Sequence, residues 1–283
     1  MQILNLANPE ESEIKYSISR FPDGEVQITL GEFSHKDEVN VKCRITSAEE
    51  LFILMQVADI LRRHGMRFSI SIYYLMGMRM DRVMDFNRPF TLRMVVDILD
   101  SLCATSIAIF CPHSKVTTQL FRKTEVVPLN PTQWMDEQKY FWDECQVVLP
   151  DAGAAERYFG GNVPPDIIVG EKVRDVETGK ILSIKVKNPE AIDGRWSLIM
   201  IDDLCDGGGT FVGLAKAIHE VKPDAIINIA VDHMVNPKGI ENLSKNFNHV
   251  FFTNSYKDWN GFKAEYGKVV PALPENVTQI NVI

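Results

Sequence analysis

Leu198-Ile-Met-Ile-Asp202-Asp203-Leu-Cys-Asp206-Gly207-Gly208-Gly209-Thr210 decides how this 283-residue chain is to be read. Four apolar residues run out at two carboxylates, three glycines follow, and from Phe211 to about Val221 apolar residues recur at helical spacing. A buried strand that ends in a tight turn and opens directly into a helix is the repeating unit of a parallel α/β sheet. The turn also gathers several backbone N–H groups and the positive end of a helix at one point, which makes Asp206 to Thr210 a phosphate cradle. Thr210 adds a hydroxyl donor. Asp202 and Asp203 are placed to accept hydrogen bonds from sugar hydroxyls or to hold Mg²⁺ indirectly. The plainer alternative is a glycine-rich turn with a solvated acidic pair.

The same rhythm extends on both sides. Ser47-Ala-Glu-Glu50 is a capping box, and Leu51, Ile53, Leu54, Val57, Ile60 and Leu61 predict a helix over about 48–64, stopped at Gly65. Phe68 to Tyr74 reads as a strand, Thr91 to Cys103 as a helix and Ile107 to Phe110 as a strand. In the second half, strands are expected at Val147–Leu149, Ile167–Val169, Leu198–Ile201, Ile226–Val231 and Val250–Phe252, with helices from Thr210 and from Pro237 to about Lys245. The polar stretch Asn130 to Glu144 is the boundary candidate, giving two lobes, 1–138 and 139–283. Gly170 to Lys187, with five basic residues among acids, is expected to begin as a mobile loop. Val277 to Ile283 remains unassigned.

Composition narrows the function. The chain is 45% apolar and 24% charged, and its net charge of −8 argues against a nucleic-acid or anionic-membrane surface, so any phosphate site is local. The five scattered cysteines (Cys43, Cys103, Cys111, Cys145, Cys205) include no C-x-x-C, which favours reduced thiols and a cytoplasmic location. The N-terminus does not read as a signal peptide, and no apolar run approaches the ~20 residues of a membrane span. Neither a P-loop nor the G-x-G-x-x-G fingerprint is present.

Other segments carry chemistry of their own. In Arg20-Phe21-Pro-Asp23-Gly-Glu25, Phe21 can stack a base while Asp23 or Glu25 accepts from an exocyclic amine; Asp23-Gly24 is also an ordinary hairpin turn. Arg79, in Tyr73-Tyr-Leu-Met-Gly-Met-Arg79-Met-Asp81-Arg82, is available for a polyphosphate or is simply an exposed arginine. His113 follows a strand, where a structural role is the usual one. Asp151, in Val147-Val-Leu-Pro150-Asp151-Ala-Gly153-Ala154, sits at a strand's carboxyl end, where α/β ligands bind, or in a plain turn. Lys172 and Arg174, two apart in an extended segment, point to one side and can reach a charge-rich transition state together, or lie on a solvated loop.

Asp-Asp before a glycine and threonine turn resembles the phosphoribosyl-binding loop of type I phosphoribosyltransferases and of ribose-phosphate pyrophosphokinases. The other segments resemble the second family, in its order, from about residue 20 to 255. Phe21 to Glu25 is similar to its Phe-x-Asp-Gly-Glu loop, Tyr73 to Arg82 to its Tyr-x-x-x-x-x-Arg-Gln-Asp-Arg segment, and Pro150 to Ala154 to its Pro-Asp-Ala-Gly-Gly turn. Glu171-Lys172-Val-Arg174 resembles the Asp-Lys-Arg-Arg start of its catalytic loop, and Asp232-His233 and Phe252 to Ser255 resemble its last strand ends. The departures are Met80 for Gln, Ala154 for a second Gly, Val173 within the basic pair, and Gly207-Gly208 where Thr-Ala is usual.

The resemblance implies an α/β fold of two phosphoribosyltransferase-like lobes, each with a largely parallel sheet flanked by helices. It implies an N-terminal lobe binding ATP through Phe21, Asp23, Glu25, Arg79 and Asp81. In the C-terminal lobe, Asp202, Asp203, Asp206, Gly207, Gly208, Gly209 and Thr210 would bind ribose phosphate. It further implies catalysis by Lys172 and Arg174, Mg²⁺ held at His113 and Asp151 with ATP as co-substrate, and a homodimer or higher homo-oligomer. The implied reaction is diphosphoryl transfer from ATP to ribose 5-phosphate. Gly207 and Gly208 remove bulk beside the 5-phosphate, and some phage relatives act on ADP-ribose to rebuild NAD, so ADP-ribose is the alternative acceptor. A phosphoribosyltransferase and an inactive regulatory subunit are the lesser alternatives.

Overall fold

The computed structural model describes residues 1–129, 145–174, 181–192, 197–260 and 272–283, with the main chain alone at 129, 173–174 and 181–182. The chain divides into two compact units, Met1–Asn130 and Pro131–Val282. The expected boundary at 138/139 lies outside the described residues.

In the first unit, β1 (Gln2–Asn5), β4 (Val39–Ile45), β5 (Phe68–Leu75), β6 (Ser106–Phe110) and β7 (Glu125–Leu129) form one sheet in that order, every pair parallel. The inner strands owe their place to alternation: Val39, Val41, Cys43 and Ile45 of β4 are buried, and Asn40, Lys42 and Arg44 are only partly so. Helix α1 (Ala48–Arg63) buries Leu51, Ile53, Leu54, Val57, Ala58 and Leu61. Its capping box forms as the sequence predicts. Ser47 Oγ accepts from the Glu50 N–H, and Glu50 Oε2 accepts from the Ser47 N–H at 3.0 Å. Helices α2 (Thr91–Ser101) and α3 (Val116–Gln119) follow β5 and β6. The short strands β2 (Tyr16–Arg20) and β3 (Val26–Leu30) make a separate antiparallel hairpin. Gln56 of α1 fastens that hairpin by accepting from the Ile28 N–H and donating to the Val26 carbonyl.

The second unit holds a seven-stranded sheet. Its strands are β8 (Gln146–Leu149), β9 (Ile168–Arg174), β10 (Ile181–Val186), β11 (Ser197–Cys205), β12 (Ile226–Met234), β13 (Val250–Thr253) and β14 (Val277–Ile280). Their spatial order is β10-β9-β8-β11-β12-β13-β14, parallel except for the β9/β10 pair. Helices α4 (Ala152–Phe159), α5 (Gly209–Val221) and α6 (Pro237–Asn246) follow β8, β11 and β12. Leu198, Met200, Ile227, Ile229, Val231 and Leu214 are among the fully buried members of the core.

Two expectations change. The segment from Gly170 does not begin as a loop: it continues β9 to Arg174 and pairs antiparallel with β10. The reason is that charged and apolar residues alternate, so one face can bury; Ile184 and Val186 pack against the core, and Ile184 lies against Gly213 of α5. The unassigned C-terminal stretch supplies β14, parallel to β13. No described helix is long and apolar enough to cross a membrane, and all five cysteines are free.

Candidate active site

Parallel sheets expose ligand-binding loops at the carboxyl ends of their strands. In the second unit three such ends carry the predicted groups: Asp151 after β8, Lys172 on β9, and Asp202 to Thr210 at the end of β11 and the start of α5.

Asp151 is the N-cap of α4, its Oδ1 accepting from the Gly153 N–H at 2.9 Å and the Ala154 N–H at 3.1 Å. Its other oxygen, Oδ2, receives the Lys172 ammonium at 2.5 Å. Burial opposes ionisation here, yet the Lys172 cation and the two N–H donors hold the Asp151 carboxyl below the usual carboxylate range. The strand position of Lys172 is possible because Gly170 lets β9 run close to the main chain: a Cβ there would stand 2.5 Å from the Pro150 carbonyl oxygen. Arg174 lies two residues further along β9, its main chain opposite Ile181. Asp151 and Lys172 border a cavity of about 810 Å³ that extends past Pro164 to Lys187 and Asn188.

The acidic pair is held from α4. Arg157 Nη1 lies 2.7 Å from Asp202 Oδ1 and 3.0 Å from Asp203 Oδ1. Burial, and then the neighbouring Asp203 charge, push the Asp202 carboxyl well above the usual range, while the Arg157 cation opposes that rise. Beyond the pair, Gly208 caps α5 with φ +74°, a left-handed conformation suited to glycine. The first N–H groups of this 13-residue helix therefore face outward from the turn. Asn236 Nδ2 donates to Asp206 Oδ1 at 2.9 Å and Asn242 Nδ2 to the Gly207 carbonyl at 2.7 Å, so α6 and its cap seat the cradle. Their approach depends on Gly239, where a Cβ would fall 2.2 Å from the Asp206 carbonyl oxygen.

In the first unit, the ends of β5 and β6 meet. Asp81, 4% exposed, accepts from Arg82 at 2.8 Å and from the Ser114 hydroxyl at 2.7 Å. The Arg82 hydrogen bond, supported by Ser114 and by the neighbouring His113, holds the Asp81 carboxyl low against the effect of burial. Asp81 thus joins the Arg79–Arg82 loop to the His113–Ser114 loop. Cys111, buried with φ +45°, makes the sharp exit from β6 that presents His113, a backbone conformation costing a non-glycine residue about 1–3 kcal/mol. Phe21, Asp23 and Glu25 form the tip of the β2/β3 hairpin; Phe21 is 51% exposed, and Asp23 Oδ1 accepts from the Glu25 N–H. The hairpin turn and the exposed ring are therefore both present.

Mg²⁺ prefers hard oxygen ligands and commonly takes one or two carboxylates, completing its shell with water and substrate phosphates. Asp151 offers one such carboxylate, but its Oδ2 is taken by the Lys172 ammonium and its Oδ1 by the first N–H groups of α4, so a metal ion there would take the place of Lys172. Among the described residues no three His, Cys, Asp or Glu side chains gather into a cage, so water and phosphate oxygens would supply the rest of the shell.

The residues missed in the sequence are Arg157, Gly170 and Gly239. Arg157 has no local signature, because its partners are 45 and 46 positions away. Gly170 and Gly239 have none either, because what each glycine admits is main chain or side chain from another part of the sequence. Asp232, His233, Thr253 and Ser255 come together as a buried network at the ends of β12 and β13. In it His233 Nδ1 lies 2.8 Å from Ser255 Oγ, and the Thr253 and Ser255 hydroxyls both donate to the Asp232 carbonyl.

Comparison with known proteins gives the following. The ribose-phosphate pyrophosphokinase of Pyrococcus furiosus is 27% identical over 247 residues, covering 84% of this chain and 85% of its own. Those of Bacillus caldolyticus and Sulfurisphaera tokodaii are 25% and 22% identical, over 85% and 93% of this chain and 78% and 87% of theirs. The crystal structure of phosphoribosylpyrophosphate synthetase from Mycobacterium smegmatis superposes with a TM-score of 0.75 at 19% identity, covering 100% of this chain and 95% of that one. No family model matches.

Proposed function

We propose that this chain, a divergent member of the ribose-phosphate pyrophosphokinase family, transfers the diphosphoryl group of ATP to the anomeric hydroxyl of ribose 5-phosphate. The anomeric hydroxyl gives up its proton to solvent as its oxygen bonds to the β-phosphorus, the bond from that phosphorus to the α,β-bridging oxygen breaks, and AMP leaves with the electron pair. The observation that carries the reading is the row of groups at the carboxyl ends of β8, β9 and β11. It comprises a lysine–carboxylate pair, an acidic pair, and a glycine turn opening a helix.

In this reading the α5 N-terminus and Thr210 bind the 5-phosphate, and Asp202 and Asp203 accept from the sugar hydroxyls. Lys172 and Arg174 neutralise the transferring group, which asks for positioning and charge and for no covalent intermediate. Phe21, Asp23, Glu25, Arg79 and Asp81 serve ATP, Asp81 by tying two loops together. Mg²⁺ would enter with ATP and neutralise its phosphate oxygens, and the side chains proposed to serve it are His113 in the first unit and Asp151 in the second. The working form is a cytoplasmic homodimer or larger homo-oligomer of two lobes, 1–138 and 139–283.

ADP-ribose is the second acceptor to be tested. What favours it is that a Cβ at Gly207 would meet nothing within 4 Å, leaving room beside the cradle for a phosphate that is itself esterified; Gly208, with φ +74° and Leu243 3.2 Å from a Cβ, leaves no such room. The test incubates the protein with Mg-ATP and ribose 5-phosphate, ADP-ribose or no acceptor, and follows AMP and the phosphorus spectrum of the product. AMP with a new anomeric diphosphate is expected with ribose 5-phosphate. Product with ADP-ribose alone would move the acceptor, and silence in every tube would sink the reading.

A further inference from the structure

We infer that Arg157 is a positioning residue for the acceptor: its guanidinium holds the Asp202 and Asp203 carboxylates together in the arrangement that receives the sugar hydroxyls. The inference rests on the reading of those two aspartates as acceptor ligands, and adds a residue that no motif in the chain singles out.

Consecutive residues of a strand send their side chains to opposite faces. Asp202 and Asp203, late in β11, nevertheless bring their Oδ1 atoms to 2.7 and 3.0 Å from one nitrogen, Arg157 Nη1. The Asp203 N–H, donating to Asp202 Oδ1 at 2.9 Å, turns the Asp202 carboxylate back along the chain toward its neighbour. Two carboxyl groups so close disfavour each other's ionisation, which is part of what holds Asp202 above the usual range, and a cation beside them offsets that repulsion. Arg157 is that cation, and its own place is well determined. It stands in the last turn of α4, its side chain is 17% exposed, and the N-cap of the same helix is Asp151, the partner of Lys172. One eight-residue helix therefore connects the ion pair proposed for catalysis with the acidic pair proposed for the acceptor. The closest approach to each carboxylate is made by the same nitrogen, Nη1, so an ammonium group carried to that point can replace much of the contact.

The test compares Arg157→Met and Arg157→Lys with the wild-type chain. Acceptor affinity is measured by calorimetry with ribose 5-phosphate and ADP-ribose without ATP, and steady-state constants are measured for each substrate. Arg157→Met is expected to weaken acceptor binding at least tenfold and to raise the acceptor KM correspondingly, with the KM for ATP changed less than twofold. Arg157→Lys is expected to recover most of that loss. Wild-type acceptor affinity in folded Arg157→Met overturns the inference, as does a folded Arg157→Lys impaired as badly as Arg157→Met. A tenfold rise in both KM values together would also overturn it, by marking a general structural role. If Arg157→Met does not fold, Arg157→Lys decides alone: acceptor affinity within threefold of wild type supports the clamp, and a folded protein more than threefold weaker rejects it. A wild-type chain that neither binds nor turns over either acceptor sinks the proposed function instead, and is recognised before any variant is compared.

Discussion

Replacing Gly239 by alanine tests whether α6 seats the phosphate cradle. The new Cβ would lie 2.2 Å from the Asp206 carbonyl oxygen, 2.9 Å from Cys205 Sγ and 3.1 Å from Met234 Sδ. The first of these contacts is about 1 Å short of ordinary packing and is made to main chain, so either the cradle or the start of α6 must move. Overpacking of this kind costs about 1–3 kcal/mol, while alanine regains roughly 0.5–1 kcal/mol of helix propensity. The net expectation is a loss of about 1–2 kcal/mol in urea unfolding. A shift of ~1 Å in a binding loop can cost on the order of 10²-fold in turnover efficiency, so kcat/KM for the acceptor should fall at least tenfold at saturating ATP. Gly207→Ala is the matched control. A methyl group there meets nothing within 4 Å, so stability should stay within about 0.5 kcal/mol of wild type. A Gly239→Ala protein with the wild-type unfolding midpoint and acceptor KM would refute the packing argument. So would Gly207→Ala proving equally destabilised.

Lys172→Ala should lower kcat by about 10²–10³-fold, by analogy with the removal of one preorganised charge-stabilising donor, and should leave circular dichroism unchanged; unchanged turnover would remove Lys172 from catalysis. Phe21→Ala, at a half-exposed position, should raise the KM for ATP several-fold at unaltered acceptor KM, and an effect confined to the acceptor would place the hairpin elsewhere. Asp100 is buried, and its carboxylate accepts from the backbone N–H groups of Arg122, Lys123 and Thr124, tying α2 to the approach to β7. Burial opposes its ionisation, but these donors hold its carboxyl below the usual range. Its stabilising contribution is therefore complete above the unfolded value of about 3.9 and is lost as pH falls toward and through the lower folded value. Asp100→Asn should cost on the order of 1 kcal/mol at pH 7, a deficit that narrows below about pH 4 in urea titrations; a deficit independent of pH would assign the loss to geometry alone.

Local physics made much of this protein legible from its residues. The capping box at Ser47 and Glu50, the run of apolar residues through α1, the inner strands of both sheets and the Asp202 to Thr210 turn are written in neighbouring positions, because helix caps, periodicities of 3.6 and 2, and glycine turns act over a few residues. The same locality made Asp151, Lys172 and the cradle visible as separate signals. Tertiary structure alone decided what joins them. Lys172 reaches Asp151 across 21 positions, and Arg157 reaches the acidic pair across 45. The extension of β9 into a hairpin was hidden because a charged stretch resembles a loop until a partner strand and a core exist to bury its alternate face. Gly239 and Gly170 were hidden for a related reason: a glycine required by the approach of another main chain carries no mark of that chain in its own neighbourhood. Sequence alone thus determined which elements form and which groups stand at their ends; only packing determined which charges meet, since distance between side chains is a property of the folded chain and not of its order.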